Sequence, residues 1–124
     1  MSERAKILVI EDEKNLRLLY QQEFEQDGFE VATAANASEG LAMIEAVRPD
    51  LVVMDIRLPG MDGLEAMSRL LDKHPRIPVV LNSAYSSYKD SFMSWSADAY
   101  VVKSADTGEL RMRVRELLAA RAEG

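Results

Sequence analysis

The stretch Leu51-Val52-Val53-Met54-Asp55-Ile56-Arg57-Leu58-Pro59-Gly60-Met61-Asp62-Gly63 drives four apolar residues into a carboxylate and then into proline and glycine. Leu51 to Met54 is short, apolar and β-branched at its centre, the pattern of a strand buried on both faces of a parallel sheet. Pro59, Gly60 and Gly63 turn the chain towards the next helix. Asp55 therefore stands where a buried strand meets water. Outward from it, Lys6-Ile7-Leu8-Val9-Ile10, Ile77-Pro78-Val79-Val80-Leu81 and Tyr100-Val101-Val102 repeat the apolar run. Phe29-Glu30-Val31-Ala32-Thr33 alternates instead, as an edge strand with one wetter face does.

Helical patterns separate these runs. Leu16, Leu19, Tyr20 and Phe24 mark one face of a first helix that stops at Asp27-Gly28. Asn36 with Glu39 forms a capping-box pattern ahead of Leu41, Ile44 and Val47, and Pro49 stops that helix. Leu64, Met67, Leu70 and Leu71 predict a third, closed by His74-Pro75. Residues 85–96 are serine-rich with few core candidates, and predict a short, loosely held fourth helix. Asp106 with Glu109 opens the last, which carries Leu110, Val114, Leu117 and Leu118. Strands alternating with helices give a parallel sheet with right-handed crossovers and helices on both faces. Ligands in such folds bind at the carboxyl ends of the strands.

Composition narrows the function classes. The 124 residues, 48% hydrophobic and 29% charged, suit one self-sufficient globular domain spanning residues 1–124 with no effector domain in the chain. The absence of cysteine excludes disulfides, zinc thiolates and thiol nucleophiles. A net charge of −6 argues against direct nucleic-acid contact, whose electrostatic term needs clustered Lys and Arg. With no apolar run near ~20 residues and no signal-peptide layout, the expectation is a cytoplasmic protein that does not engage the membrane.

The polar residues that follow the strands are Glu11, Asp12 and Glu13, then Asp55, then Asn82 and Ser83, then Lys103. Glu13 reads as an ordinary water-facing residue. Acids converging from neighbouring strands demand more, because like charges ~4 Å apart repel by about 4 kcal/mol at an effective dielectric of 20. Two groups would compensate them, a hard divalent cation on oxygen ligands, for which Mg²⁺ fits best, or the ammonium of Lys103. The same acids repel a resident flavin or dinucleotide. A phosphoryl group arriving with a metal is compatible, with Ser83 and Lys103 binding its oxygens and Asp55 as nucleophile.

These residues resemble the receiver domain of two-component response regulators over nearly the whole chain. The resemblance rests on residues 7–13, on residues 50–63, on Ser83-Ala84 and on Ala97-Asp98-Ala99-Tyr100-Val101-Val102-Lys103. It implies a flavodoxin-like, doubly wound α/β sandwich: a five-stranded parallel sheet in the order 2-1-3-4-5 flanked by five helices. It further implies that Asp55 accepts a phosphoryl group from a partner histidine kinase or phosphotransfer protein. Glu11, Asp12, Asp55 and the backbone carbonyl of Arg57 would hold Mg²⁺ or Mn²⁺. Lys103 would pair with the phosphoaspartate, while Ser83 and Tyr100 would act as the switch pair. Arg57 and Tyr85 occupy the positions that tune phosphoryl lifetime. Phosphorylation would shift the face formed by the fourth helix and fifth strand, read by a downstream protein or a fused effector outside this chain, with the domain a monomer or a phosphorylation-linked homodimer.

The family follows its lysine with a proline joined by a cis peptide, whereas here Ser104 follows Lys103. Either a costly cis bond is kept, or the bond is trans and Lys103 arrives by another path. The expectation is that its long stem still brings it to Asp55. Ser96 for a usual glycine and Ala99 for a common acid are expected to matter little. His74 reads as a surface residue without a role, and Trp95 as packing. Met43, Met54 and Met67 read as core filler, and Arg111, Arg113 and Arg115 as a solvated face. Two rival functions stand beside the phosphoacceptor. One is a receiver-like interaction module working without phosphorylation. The other is an aspartate-nucleophile phosphohydrolase, which would want a second aspartate where Arg57 stands; no enzymatic turnover of outside substrates is expected.

Overall fold

Five strands, β1 (Lys6–Ile10), β2 (Glu30–Ala34), β3 (Leu51–Met54), β4 (Val79–Ser83) and β5 (Ala99–Val102), pair in parallel in the order β2-β1-β3-β4-β5. The computed structural model describes residues 4–55, 63–84 and 97–123. Among the described residues the helices are α1 (Lys14–Gln26), α2 (Ala37–Val47), α3 (Gly63–Lys73) and α4 (Gly108–Glu123). The helix expected over 85–96 lies outside the described residues, as do Arg57, Tyr85 and Trp95. The fold class and strand order are those expected. No described helix is long and apolar enough to cross a membrane.

Strand pleating explains the layers, because successive side chains go to opposite faces. Leu8, Ile10, Val52, Met54, Val79 and Leu81 pack with Ala37 and Ile44 of α2 and Ala66, Met67 and Leu70 of α3. Ile7, Val9, Leu51, Val53, Val80 and Val101 pack with Tyr20 and Phe24 of α1 and Leu110 and Val114 of α4. A side chain the size of Phe24, fully buried, contributes roughly 1.5–3 kcal/mol. Gly40 lets α2 approach the sheet: a Cβ there would fall 2.7 Å from Ile10 Cγ1.

Local chemistry sets the helix ends. Asn36 Oδ1 accepts the Glu39 N–H at 2.8 Å, and the Glu39 carboxylate reaches back to the Ala35 N–H at 3.4 Å. Helix α1 ends in paired backbone bonds, Gly28 N–H to Glu25 O at 3.0 Å and Phe29 N–H to Phe24 O at 3.1 Å. Gly28 there has φ +96°, a conformation that glycine adopts without steric penalty.

Four expectations need correction. Leu19 is 38% exposed, because the buried face of α1 centres on Tyr20 and Leu19 falls to one side of it. Asn82 and Ser83 are the last residues of β4, not the loop after it. Asp106 makes a turn, its Oδ1 accepting the Gly108 N–H at 2.8 Å, and α4 begins at Gly108, so Asp106 stands one residue ahead of the cap position at Thr107. Arg111 is no solvated residue: its Nη2 and Nε hold Asp27 at 2.6 and 2.9 Å, and Nη1 reaches Glu23 at 3.3 Å.

Candidate functional site at the strand ends

The pleat that sorts the core also assembles the site. In the row facing α1 and α4, the residues that follow Val9, Val53, Val80 and Val101 by two are Glu11, Asp55, Asn82 and Lys103. The ladder keeps this phase past the strand ends. Glu11 N–H donates to Ala34 O at 3.0 Å, Asp55 N–H to Ile10 O at 3.3 Å and Lys103 N–H to Ser83 O at 2.7 Å. Three charged side chains from three strands thus emerge on one face.

Lys103 Nζ lies 2.6 Å from Asp55 Oδ2 and 2.7 Å from Glu11 Oε1. Its stem reaches over the end of β4, which lies between β3 and β5. The peptide to Ser104 is trans, so the lysine reaches Asp55 without the family's cis geometry. Glu11 is only 2% exposed and Asp55 6%, and the second Glu11 oxygen accepts the Glu13 N–H at 3.1 Å. Burial pushes the Glu11 carboxyl above its ordinary value; the Lys103 and Glu13 hydrogen bonds pull it down only in part, and the Asp55 charge adds to the rise. Burial alone would lower the Lys103 ammonium, but hydrogen bonds and charge from Asp55 and Glu11 outweigh it and hold Lys103 above its ordinary range.

Glu11, Asp12 and Asp55 each offer a carboxylate oxygen within 4.8 Å of the others. Three carboxylates facing one ammonium leave negative charge over, in an oxygen-only donor set of the kind Mg²⁺ takes. The residues present therefore fit a hard divalent cation. Cavities of about 510 and 470 Å³ flank the His74 Nε2 to Glu45 Oε1 contact of 3.1 Å, and none of these carboxylates lines them. His74 is thus half-buried and partnered, more than the bare surface residue expected.

Ser83 is fully buried at the end of β4. Tyr100, on β5, is half-buried against the core layer of α2 and α3. Glu13 is exposed and makes no side-chain cap at the start of α1. Two features escaped the sequence reading. Tyr20 and Asn82, each 3% exposed, join by a 3.0 Å bond from Asn82 Nδ2 to the phenol oxygen in the layer beneath the site. Arg17 Nη1 donates to the carbonyls of Glu11 at 2.8 Å and Asp12 at 3.4 Å. The signal for Arg17 was a helix that starts with no acid in its first turn, against the preference of the macrodipole.

The family model of the response regulator receiver domain matches residues 7–115. The chain belongs to that family. The receiver domain is 35% identical over 115 residues to the regulatory protein AtoC of Escherichia coli, an alignment covering 91% of this chain and 25% of AtoC. Against the sporulation initiation phosphotransferase F of Bacillus subtilis it is 31% identical, covering 91% of this chain and 93% of the relative. Among solved structures it is similar to the response regulator TrrA of Thermotoga maritima in complex with Mg²⁺-BeF, with a TM-score of 0.88 and 40% identity over 91% of this chain and 98% of that one. TrrA is also known in complex with the histidine kinase ThkA, where the TM-score is 0.86, again at 40% identity, over 92% of this chain and 98% of that one. The receiver domain spans a quarter of AtoC's length and 48% of the alkaline phosphatase synthesis regulator PhoP of Bacillus subtilis.

Proposed function

We propose that this receiver domain accepts a phosphoryl group on Asp55 from a histidine of a sensor kinase or phosphotransfer protein, in a reaction requiring Mg²⁺ or Mn²⁺. The observation that carries the reading is the Asp55–Lys103–Glu11 contact at the strand ends, with Asp12 close by. The structures of TrrA with Mg²⁺-BeF and with ThkA support the cation and the kinase partner. Glu11, Asp12 and Asp55, with the Arg57 carbonyl, would hold the cation, which when bound neutralises charge on the phosphoryl oxygens.

A carboxylate oxygen of Asp55 forms the new bond to phosphorus while the bond from phosphorus to the donor nitrogen breaks, its electron pair leaving with the donor. Asp55 is placed for this by the rigid end of β3 and is still reachable. The Lys103 ammonium, already against Asp55, pairs with the negative charge carried by the phosphorylated side chain. Ser83 takes a phosphoryl oxygen, and Tyr100 follows as the second member of the switch. Contacts made only in the phosphorylated state bias an existing equilibrium at the face of residues 85–96 and β5. An output protein or fused effector outside this chain reads that face, with or without homodimerisation. Arg57 and Tyr85 set how fast water removes the group, the only turnover expected of the domain.

Incubation of the folded protein with Mg²⁺ and acetyl phosphate, followed by intact-mass measurement, tests the reading. One added phosphoryl mass is expected in the wild type and none in Asp55→Asn. No adduct on folded wild type would favour an interaction module, and an undiminished adduct in Asp55→Asn would move the acceptor elsewhere.

A further inference from the structure

We infer that Arg17 is a positioning residue for the metal-binding loop, acting through the backbone carbonyls of Glu11 and Asp12. The inference rests on the phosphoacceptor reading of the site and adds a residue to it. Asp12 is exposed, and among the described residues its carboxylate makes no hydrogen bond or ion pair. The point from which it reaches into the site is therefore set by its own backbone. Glu11 differs, since both its oxygens are held, one by Lys103 and one by the Glu13 N–H. The guanidinium of Arg17 holds the peptide before Asp12, with Nη1 at 2.8 Å from Glu11 O, and reaches the peptide after it at 3.4 Å from Asp12 O, where Glu11 Oε2 already holds the Glu13 N–H at 3.1 Å.

The placement of Arg17 argues for a purpose. It sits in the first turn of α1, where the positive end of the helix dipole disfavours a cation. Its backbone N–H makes the ordinary first-turn bond to Glu13 O at 2.9 Å, while its side chain folds back over the loop it follows. Charge alone would be a poor reason for an arginine here, because a cation beside a divalent-ion site repels the ion. One nitrogen at the end of the long arginine stem, in reach of two successive carbonyls, ties the loop to α1, which a charge merely nearby does not. Outer contacts of this kind orient metal ligands, and losing one weakens metal affinity by about 10- to 100-fold.

The two roles predict opposite signs, so Mg²⁺ titration by calorimetry separates them. If Arg17 positions the loop, Arg17→Met binds Mg²⁺ about 10-fold more weakly than wild type, and Arg17→Lys, which keeps the charge on a shorter stem, is weakened in the same direction. If Arg17 is merely a nearby charge, Arg17→Met binds Mg²⁺ more tightly and Arg17→Lys matches wild type; that result overturns the inference. Thermal unfolding of each variant separates lost positioning from lost folding, and Arg17→Lys keeps the test decisive should Arg17→Met unfold. Wild type that binds no Mg²⁺ would bring down the site reading together with this inference, whereas unweakened binding in both variants brings down the inference alone.

Discussion

Two clusters of carboxylates on this receiver domain meet cations, and they do so on opposite terms. Between α1 and α4, Asp27 receives two bonds from Arg111 and one contact at 3.4 Å from Arg115, and Glu23 Oε2 accepts the Thr107 hydroxyl at 2.7 Å. The Arg111 hydrogen bonds hold the Asp27 carboxyl below its ordinary value despite some burial, with the Arg111 and Arg115 charges adding to the fall. At the strand ends, Glu11 and Asp55 share one lysine with Asp12 close by, and burial raises Glu11. The first cluster clamps two helices together. The second is left short of positive charge, which is the condition for admitting a metal and then a phosphoryl group. A count of ion pairs, three at the clamp and two at the strand ends, does not show this; the direction of the pKa shifts does.

Removing the cation should break the strand-end cluster most severely. Lys103→Met leaves Glu11 and Asp55 nearly buried without their ammonium, and is expected to lose about 3 kcal/mol of stability. Mg²⁺ should restore part of that loss, raising the melting temperature of the variant more than that of wild type. Equal Mg²⁺ responses in thermal unfolding would mean that Lys103 and the metal do not address the same charge.

At the helix clamp the effect is smaller and indifferent to metal. Asp27→Asn removes an anion whose pKa is depressed, and solvent screening at this rim limits the loss to about 1 kcal/mol at neutral pH. Because the folded value lies below the ordinary one, that contribution is present above the unfolded pKa. It disappears as pH falls through the folded pKa. Urea unfolding of wild type and variant should therefore converge in acid, and a gap that persists there would assign the loss to packing.

The smallest change sharpens the contrast in sign. Glu11→Gln is expected to shift stability at neutral pH by no more than about 1 kcal/mol, since a lost ion pair offsets a relieved buried charge. Wild-type Glu11 has the opposite linkage to Asp27: its raised folded pKa means stability is lost as pH rises from the ordinary 4.5 through the folded value. The glutamine variant, having nothing to ionise, should gain on wild type across that window in urea unfolding. A constant difference from pH 4 upward would place Glu11 outside this account.

Much of this was legible in the residues. The central strands announce themselves as β-branched apolar runs, and Asp55 and Lys103 by where such runs end. The reading stopped β4 too soon because Asn82 and Ser83 are polar, whereas the ladder continues for as long as backbone groups find partners. Arg111 looked like one solvated arginine among several, since its partner Asp27 is 84 positions away and only the packing of α4 on α1 brings the two together. Leu19 lay close enough to the apolar stripe of α1 to pass as core. Tyr20 and Asn82 each read as an isolated residue, and nothing local joins a helix to a strand 62 positions later. Arg17 binds carbonyls, which are the same at every position of any sequence, so only its unfavourable place in the helix gave a sign of it.

The shared row of Glu11, Asp55 and Lys103 makes the site a product of counting. Each residue belongs to it because an even number of steps separates it from a core residue on the same face. A loop between elements can lengthen without disturbing that arithmetic, but a single residue inserted between Val101 and Lys103 would turn the lysine to the opposite side of the sheet. The chemistry is therefore protected from drift in the connections and exposed to it in the strands, where parity, more than distance, decides which charges meet.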